Sequence, residues 1–327
     1  MVMGGLWIIA GFVAGFVMII KGGDVFVDAA LYIARKMKIP TAIMGATIVS
    51  LTTTLPELLV SSMAAATGHS EMAIGNAIGS IICNTGLILG LCLILTKTVH
   101  SDLFALKKSL LLLTTIVVYG LLVWLNHGLG KVSALVLYAL LGGFVWLNLM
   151  ELNGGQEEDT GGEEPFQLMQ VPKFILGAAL IVIGARLLVD NGSALAVLMG
   201  VPEKVISLTL IAFGTSLPEL VTSITAIIKK ENALSLGNII GANVLNITLV
   251  LSTATMVSST GMLPLIRTET GRLAGQYQLF LLDIPVAMAV CIILAAGVWR
   301  RKLTRVHGVV LMGTYIIYLL ILLFTMG

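Results

Sequence analysis

The segment Thr52-Thr53-Thr54-Leu55-Pro56-Glu57 decides the fold of this chain, because it returns 162 residues later as Gly214-Thr215-Ser216-Leu217-Pro218-Glu219. The same offset overlays residues 28–89 on residues 190–251 without a gap. Residues that are identical in the two copies include Asp28 and Asp190, Pro40 and Pro202, Ser61 and Ser223, Asn76 and Asn238, Gly79 and Gly241, and Asn84 and Asn246. Self-similarity of this length predicts two copies of one structural unit.

The composition predicts a membrane protein. Of the 327 residues, 57% are hydrophobic and only 11% are charged, whereas soluble domains carry roughly 25% charged residues. The apolar residues form blocks of about 20, the length that crosses a bilayer. The first block, 6–20, lacks a basic leader and a small-residue cleavage site, which favours a retained helix over a signal peptide. The ten predicted spans are 5–21, 39–66, 71–96, 104–125, 132–151, 172–190, 202–228, 232–257, 278–299 and 306–326.

The repeat predicts an inverted topology. Equivalent positions are separated by five predicted spans, and an odd number of crossings turns the second copy upside down relative to the first. The predicted fold is therefore an all-α integral membrane protein with two inverted repeats of five helices. The first repeat covers 1–151, an acidic glycine-rich linker covers 152–171, and the second repeat covers 172–327. Inverted repeats are typical of transporters that bind their substrate near the midplane of the bilayer.

Lysine and arginine residues predict the orientation. The loops after odd-numbered spans hold 14 of the 19 basic residues, and basic loops face the cytoplasm. We therefore expect both termini outside the cell membrane and the central loop in the cytoplasm. That loop carries six acidic residues, Glu151, Glu157, Glu158, Asp159, Glu163 and Glu164. Its composition is typical of a solvated, flexible linker.

The repeated motif places an acid inside the membrane in each copy. A carboxylate at mid-span costs at least about 2.5–3.5 kcal/mol, so Glu57 and Glu219 require a compensating positive charge. Apart from Lys204 near the start of the seventh, the second, third, seventh and eighth spans contain no Lys or Arg, which favours a bound cation over an ion pair. Each Glu follows a proline, whose ring clashes with the carbonyl four residues earlier. We expect each helix to break there and to free backbone oxygens for an ion.

The candidate ligands are all oxygen atoms. Thr53 and Thr215 each stand four residues before their Glu, and Ser80 likewise precedes Asn84. The cysteines Cys83, Cys92 and Cys291 lie in apolar blocks without metal-binding spacing. Hard cations prefer oxygen ligands, and calcium takes about 6–8 of them. Two carboxylates balance one divalent ion and equally hold monovalent ions or protons, whereas each hydroxyl can instead bond its own helix.

The doubled motif resembles the alpha-repeat signature of the calcium/cation antiporter superfamily, and the chain is most similar to the prokaryotic sodium/calcium exchanger type. The resemblance implies ten helices, with the second, third, seventh and eighth enclosing the ions and the first and sixth sliding as a gating pair. It implies calcium ligands in Glu57, Glu219, Thr53 and Thr215. It implies sodium ligands in the carbonyls of Ser50 and Ala212 and in Thr54, Ser216 and Ser80, with Asn84 and Asn246 beside the centre.

Three positions depart from the family pattern. Ala242 replaces a hydroxyl that many sodium-coupled members carry, Thr52 replaces a glycine, and Asn246 stands where potassium-dependent relatives have Asp. Asn246 argues against potassium cotransport. The motif that the proton-coupled branch of the superfamily carries around its acids is absent from this sequence. Asp28 and Asp190 match each other but lie near predicted helix ends, which favours a structural role.

We therefore expect a secondary antiporter that exchanges calcium for sodium, with calcium/proton antiport as the alternative. A non-transporting membrane sensor built on a transporter fold is a third reading. No nucleophile–base pair, phosphate loop or cofactor fingerprint indicates an enzyme. The expected partners are calcium, sodium and the lipid bilayer, with no nucleic acid and no cofactor besides the transported ions. Protein partners are not indicated, and a monomer is compatible with the sequence.

Overall fold

The protein is described by a computed structural model that covers residues 2–96, 98–154, 167–198, 212–258, 262–264 and 278–326. Its helices are α1 (Val2–Lys36), α2 (Thr41–Thr53), α3 (Leu55–Ala66), α4 (Ser70–Leu95), α5 (Leu103–Asn126), α6 (Lys131–Gly154), α7 (Gln170–Leu198), α8 (Ala212–Gly214), α9 (Leu217–Ile228), α10 (Asn232–Val257), α11 (Leu279–Trp299) and α12 (Arg305–Met326). Within four of them the backbone widens into π-helical turns, at Gly45–Val49, Cys83–Leu89, Asn246–Leu251 and Leu279–Asp283.

Eight of the described helices are long and apolar enough to cross a membrane, namely α1, α4, α5, α6, α7, α10, α11 and α12. The helices α2 and α3 together make a further candidate span that is bent by 43°. The predicted seventh span, 202–228, is described from residue 212 onward and ends in the short apolar helix α9. These helices confirm a multi-pass helical fold, while the total of ten spans stays a prediction.

The predicted ends of the first and sixth spans were wrong. Helix α1 runs on past residue 21 to Lys36, and α7 runs past residue 190 to Leu198. The polar stretch Gly22-Gly23-Asp24 looks like a loop in sequence, but it stays helical because α1 packs along α7 there. A Cβ atom on Gly22 would lie 2.8 Å from the Cβ of Leu180. Lys21, assigned to a loop by the orientation count, consequently lies in the middle of α1.

Glycines bring the backbones of α1 and α7 into direct contact. A Cβ atom on Gly15 would lie 2.8 Å from the carbonyl oxygen of Gly184, and a Cβ on Gly184 would lie 2.9 Å from that of Gly15. Both distances are too short for any side chain. These two helices are equivalent in the repeat, so the first helix of one copy packs against the first helix of the other.

The interior of the bundle is formed by α4 and α10. In the most apolar segment of α4, 72% of the residues are buried, and in that of α10, 94% are buried. In the other membrane-length helices the share is at most 39%. The bent pair α2–α3 and helix α9 pack against these two. The polar and small residues in the second, third, seventh and eighth predicted spans favour helices that face protein or a water-filled path, and the structure confirms this for α4 and α10, whereas α3 exposes Leu59 and Met63.

Four short strands among the described residues form two pairs, each of which joins two connections that are far apart in the sequence. Strand β1 (Thr98–His100) pairs antiparallel with β4 (Lys302–Thr304), which joins the connection after α4 to the one after α11. Strand β2 (Gly128–Gly130) pairs antiparallel with β3 (Met262–Pro264), which joins the connection after α5 to the one after α10. The repeat relates β1 to β3 and β2 to β4, so the two sheets are equivalent to each other and are a second trace of the repeat.

The expectation of a solvated linker from Glu151 onward was wrong at its first residue. Helix α6 continues to Gly154, and Glu151 is only 5% exposed. It forms an ion pair with Lys108 of α5, which is also buried. The pairing explains how an acid at the edge of an apolar helix stays in the protein interior. The other acidic residues of the loop, Glu157, Glu158, Asp159, Glu163 and Glu164, lie outside the described residues.

Candidate cation site

The two motif acids lie in the first turns of two equivalent helices. Glu57 is the third residue of α3, and Glu219 is the third residue of α9. In each helix a proline is the second residue, a position where its missing N–H breaks no helical hydrogen bond. The predicted helix break therefore occurs at Thr54, immediately before α3, and at Ser216 before α9. Each carboxylate lies at the positive end of a helix dipole, which stabilises its negative charge.

Burial and mutual repulsion make this pair of acids costly without a cation. Glu57 and Glu219 are both 0% exposed and interact electrostatically with each other. Among the described residues, both oxygens of the Glu57 carboxylate and the Oε2 atom of Glu219 have no hydrogen-bond partner. Within the described ranges neither acid forms an ion pair with Lys, Arg or His. Buried charges are normally paired or bound to an ion, so this arrangement fits a cation.

Hydroxyl groups surround the two carboxylates and come from both copies. Thr54 Oγ1 donates to Glu219 Oε1 at 3.4 Å, and Thr53 also lies beside Glu219. Ser80 lies beside Glu57, although its hydroxyl makes no hydrogen bond of good geometry. Because the chain bends at Thr54, the threonines of the first copy reach the acid of the second. The Ser216 hydroxyl is buried and likewise unpartnered.

Two predicted amides are buried with free oxygen atoms. Asn84 and Asn246 are 0% exposed, and neither the nitrogen nor the oxygen of the Asn246 amide has a partner. Asn84 Nδ2 donates to Asn243 Oδ1 at 3.2 Å, which leaves Asn84 Oδ1 unpartnered. Asn243 in turn donates to Thr85 Oγ1 at 2.7 Å. Asn243 was not a predicted site residue, because the repeat pairs it with Ile81.

The backbone ligands that the resemblance implies lie just before the two helix breaks. The Ser50 carbonyl accepts from the Thr54 amide at 2.9 Å and from Thr53 Oγ1 at 3.3 Å. Ala212 begins the short helix α8, three residues before Thr215. Ala242 is fully buried in α10 and brings no hydroxyl to this interior.

Asn76 and Asn238 are functional candidates to which sequence analysis assigned no role. Thr215 Oγ1 donates to Asn76 Oδ1 at 3.1 Å, and Thr53 Oγ1 donates to Asn238 Oδ1 at 3.3 Å. These are the same bond in the two copies, and each joins one copy to the other. The identity of both asparagines at the fixed offset was a signal that could have found them.

Asp28 and Asp190 lie away from this site. Asp28 accepts from Lys229 Nζ at 2.8 Å on an exposed part of α1. Asp190 pairs with Arg186 one turn earlier in α7 at 3.7 Å, and both side chains are exposed. Their ion pairs support the structural role that we expected. Among the described residues no three Cys, His, Asp or Glu side chains come together, and the candidate ligands are two carboxylates with hydroxyl, amide and backbone oxygens.

A bundle of apolar helices around a buried set of hard oxygen ligands defines a membrane cation transporter. The family of the sodium/calcium exchanger protein matches residues 7–150 and 170–324, and the chain belongs to this family. It is 35% identical over 325 residues to the inner membrane protein YrbG of Escherichia coli, covering 95% of each chain. It is 30% identical to the sodium/calcium exchanger MaX1 of Methanosarcina acetivorans, covering 95% of this chain and 97% of the relative.

The fold is also that of a solved exchanger. The sodium-calcium exchanger NCX_Mj, soaked with sodium and without calcium, superposes with a TM-score of 0.81 at 28% identity. The superposition covers 96% of this chain and 98% of that one. The similarity therefore extends over the whole transporter rather than over one repeat.

Proposed function

We propose that the protein exchanges calcium for sodium across the cell membrane by alternating access, with Glu57 and Glu219 as the central ligands. The observation that carries this proposal is the pair of fully buried, mutually repelling carboxylates, one from each copy of the repeat. Membership of the sodium/calcium exchanger family supports the identity of the two ions. The proposed surrounding ligands are Thr53, Thr54, Ser80, Asn84, Thr215, Ser216, Asn246 and the carbonyls of Ser50 and Ala212.

Charge balance gives this site a physical basis for antiport. One calcium ion neutralises both carboxylates, and two or more sodium ions can replace it on the same oxygens. An empty site leaves two buried negative charges close together, which is an unfavourable state in a low-dielectric interior. The empty site therefore resists changing sides, whereas an occupied site does not. Exchange follows because each ion can leave only where another takes its place.

The proposed membrane arrangement has ten spans, five in each inverted copy. The strand pairs support it, because β1 and β4 are separated by six predicted spans and β2 and β3 by four. An even number of crossings is needed if paired strands are to lie on the same side of the membrane. The excess of Lys and Arg in the connections after odd-numbered spans supports a cytoplasmic position for the central loop and an external one for both termini.

The proposed moving part is the pair α1 and α7. Glycine backbones bring the two helices close together, side chains such as Phe26 and Phe174 pack across the same contact, and α1 also packs against α9, which holds Glu219. Sliding of this pair against the helices that hold the acids would expose the site to each side of the membrane in turn. Inverted repeats provide two such gates of related structure.

The deciding experiment measures calcium uptake into proteoliposomes against imposed sodium and proton gradients separately. We expect uptake to follow an opposing sodium gradient and to persist when the pH gradient is removed. Uptake that ignores sodium and follows pH would replace the proposal with calcium/proton antiport at the same carboxylates. Calcium binding without any counterflow would instead indicate a sensor.

A further inference from the structure

Asn76 of α4 and Asn238 of α10 are equivalent in the two copies, and each accepts a hydrogen bond from a proposed ligand of the other copy. We infer that they are positioning residues: they take the hydroxyl hydrogens of Thr215 and Thr53, so that these hydroxyls present only lone pairs to the cation. The inference rests on the proposed function, because it assumes that both threonines are ligands.

The surroundings of Asn76 fix the orientation of its amide. Its Nδ2 atom lies 3.3 Å from the carbonyl oxygen of Glu57 and 2.9 Å from Ser61 Oγ. A carbonyl oxygen can only accept. Ser61 uses its hydrogen on the carbonyl of Ala73 at 3.2 Å, so its oxygen accepts as well. Both neighbours therefore require the amino group of Asn76, and the amide oxygen must point to the other side.

The hydroxyl of Thr215 lies on that other side, 3.1 Å from Asn76 Oδ1. An amide oxygen has no hydrogen to give, so Thr215 must be the donor. A hydroxyl carries one hydrogen and two lone pairs. Once its hydrogen is committed to Asn76, Thr215 can only accept, which is the property that a cation ligand needs.

The second copy repeats this arrangement. Asn238 is 0% exposed, and its Nδ2 atom donates to Ser223 Oγ at 3.2 Å. Its Oδ1 atom accepts from Thr53 Oγ1 at 3.3 Å, and the Ser50 carbonyl lies at the same distance from that hydroxyl. Both acceptors draw the hydrogen of Thr53 to themselves. The recurrence of the bond in two copies of different local sequence argues against a chance contact.

Thr54 shows what a hydroxyl without such an acceptor does. Its Oγ1 atom donates directly to the Glu219 carboxylate at 3.4 Å, where the hydrogen competes with a cation for the same oxygen. Removing Asn238 would leave Thr53 with two remaining acceptors, the Ser50 carbonyl and the Glu219 carboxylate, so its hydrogen could then turn to the carboxylate. The asparagines thus keep two of the hydroxyls in the form that binds cations.

The test is a pair of double-mutant cycles on calcium affinity, measured by calorimetry on the purified protein. Asn238→Leu removes the acceptor, and Thr53→Val removes the hydroxyl that it orients. We expect Asn238→Leu to weaken calcium binding roughly tenfold in the otherwise unmodified protein. In a protein that already carries Thr53→Val, the same change should weaken binding less than about twofold, because the two residues act as one unit. Asn76→Leu with Thr215→Val should behave in the same way. The matched control is the crossed pair, Asn76→Leu with Thr53→Val, in which Asn76→Leu should keep its full effect.

Equal weakening by Asn238→Leu in both backgrounds would mean a merely structural role and would overturn the inference, as would unchanged affinity in the single variant. If Asn238→Leu does not give folded protein, the Asn76–Thr215 cycle decides by the same criteria. Failure of the proposed function is distinguishable, since it is measured on the unmodified protein: calcium uptake would then not follow an opposing sodium gradient, whatever the variants show for calcium affinity.

Discussion

At the scale of single residues, the two acids are the proposed centre of the function. Glu57 and Glu219 are completely buried, lack hydrogen bonds on three of their four oxygens and repel each other. Replacing either acid by glutamine, a neutral amide of the same shape, removes one charge without leaving a cavity. The consequences for transport and for stability should therefore differ, and both can be measured on the same variants.

We expect Glu57→Gln and Glu219→Gln each to reduce calcium uptake to the level of empty liposomes, because one carboxylate cannot balance a divalent charge. The folded protein should persist, and its melting temperature without calcium should equal or exceed that of the unmodified protein. The stabilisation by calcium, about 2.7 kcal/mol at a hundredfold excess over Kd, should disappear. Radioactive calcium uptake and thermal melting in detergent test these points. Normal uptake by either variant would refute the role of that acid.

The ion pair of Lys108 and Glu151 should matter for stability rather than for ion binding. Glu151→Gln leaves the buried Lys108 without its opposite charge, and breaking such a pair costs about 3–5 kcal/mol. The double variant Lys108→Met with Glu151→Leu should recover most of this loss, since it leaves no charge behind. Unfolding in detergent measures the effect, with the exposed Glu71→Gln as control. Equal stability of Glu151→Gln and the control would contradict the importance of the pair.

At the scale of helices, the contact between α1 and α7 is sensitive to the addition of a single atom. A Cβ atom on Gly15 would lie 2.8 Å from the carbonyl oxygen of Gly184 and equally close to the amide of Leu188. Backbone atoms cannot move aside as flexible side chains can. Any larger residue must therefore push the two helices apart, and it must do so where the proposed sliding occurs.

We expect Gly15→Ala to slow calcium exchange while calcium binding is retained, and to lower stability by about 1–3 kcal/mol, the usual cost of overpacking. The control is Gly142→Ala in α6, because no described atom lies within 4 Å of a Cβ there. That change should be neutral or slightly stabilising, since alanine favours a helix by up to about 1 kcal/mol. Exchange rates and calcium affinities of the two variants separate the effects. Full-rate exchange by Gly15→Ala would argue against sliding at this contact.

At the scale of the whole molecule, the orientation in the membrane can be tested by chemical labelling. The three native cysteines are buried, so they should not react with an impermeant maleimide. His127, between α5 and β2, and Lys230, between α9 and α10, are both exposed. The proposed topology places the first outside the cell and the second in the cytoplasm.

We expect His127→Cys to be labelled in intact cells and Lys230→Cys only after the cells are made permeable. The physical reason is the positive-inside rule, to which the basic connections after odd-numbered spans conform. Both positions follow a helix end and carry a left-handed backbone conformation, so the two sites are matched in their local structure. The opposite labelling pattern would invert the orientation without affecting the site.

The sequence by itself determined the features that depend on local composition. Blocks of apolar residues located the membrane helices, because the bilayer sets their length. Proline at a fixed place before each acid located the helix breaks at Thr54 and Ser216, because a missing N–H and a steric clash act within one turn. The offset of 162 residues identified Glu57 and Glu219 as a pair, since a repeated acid within apolar helices is costly unless it has a use.

Only the tertiary structure decided which groups meet across the two copies. It brought Thr54 to Glu219, gave Asn76 and Asn238 their partners, buried Glu151 against Lys108 and kept α1 helical through Gly22 and Gly23. Each of these outcomes rests on contacts between residues far apart in the chain. Local propensity carries no information about such contacts, and the packing of helices alone places these atoms within reach of one another.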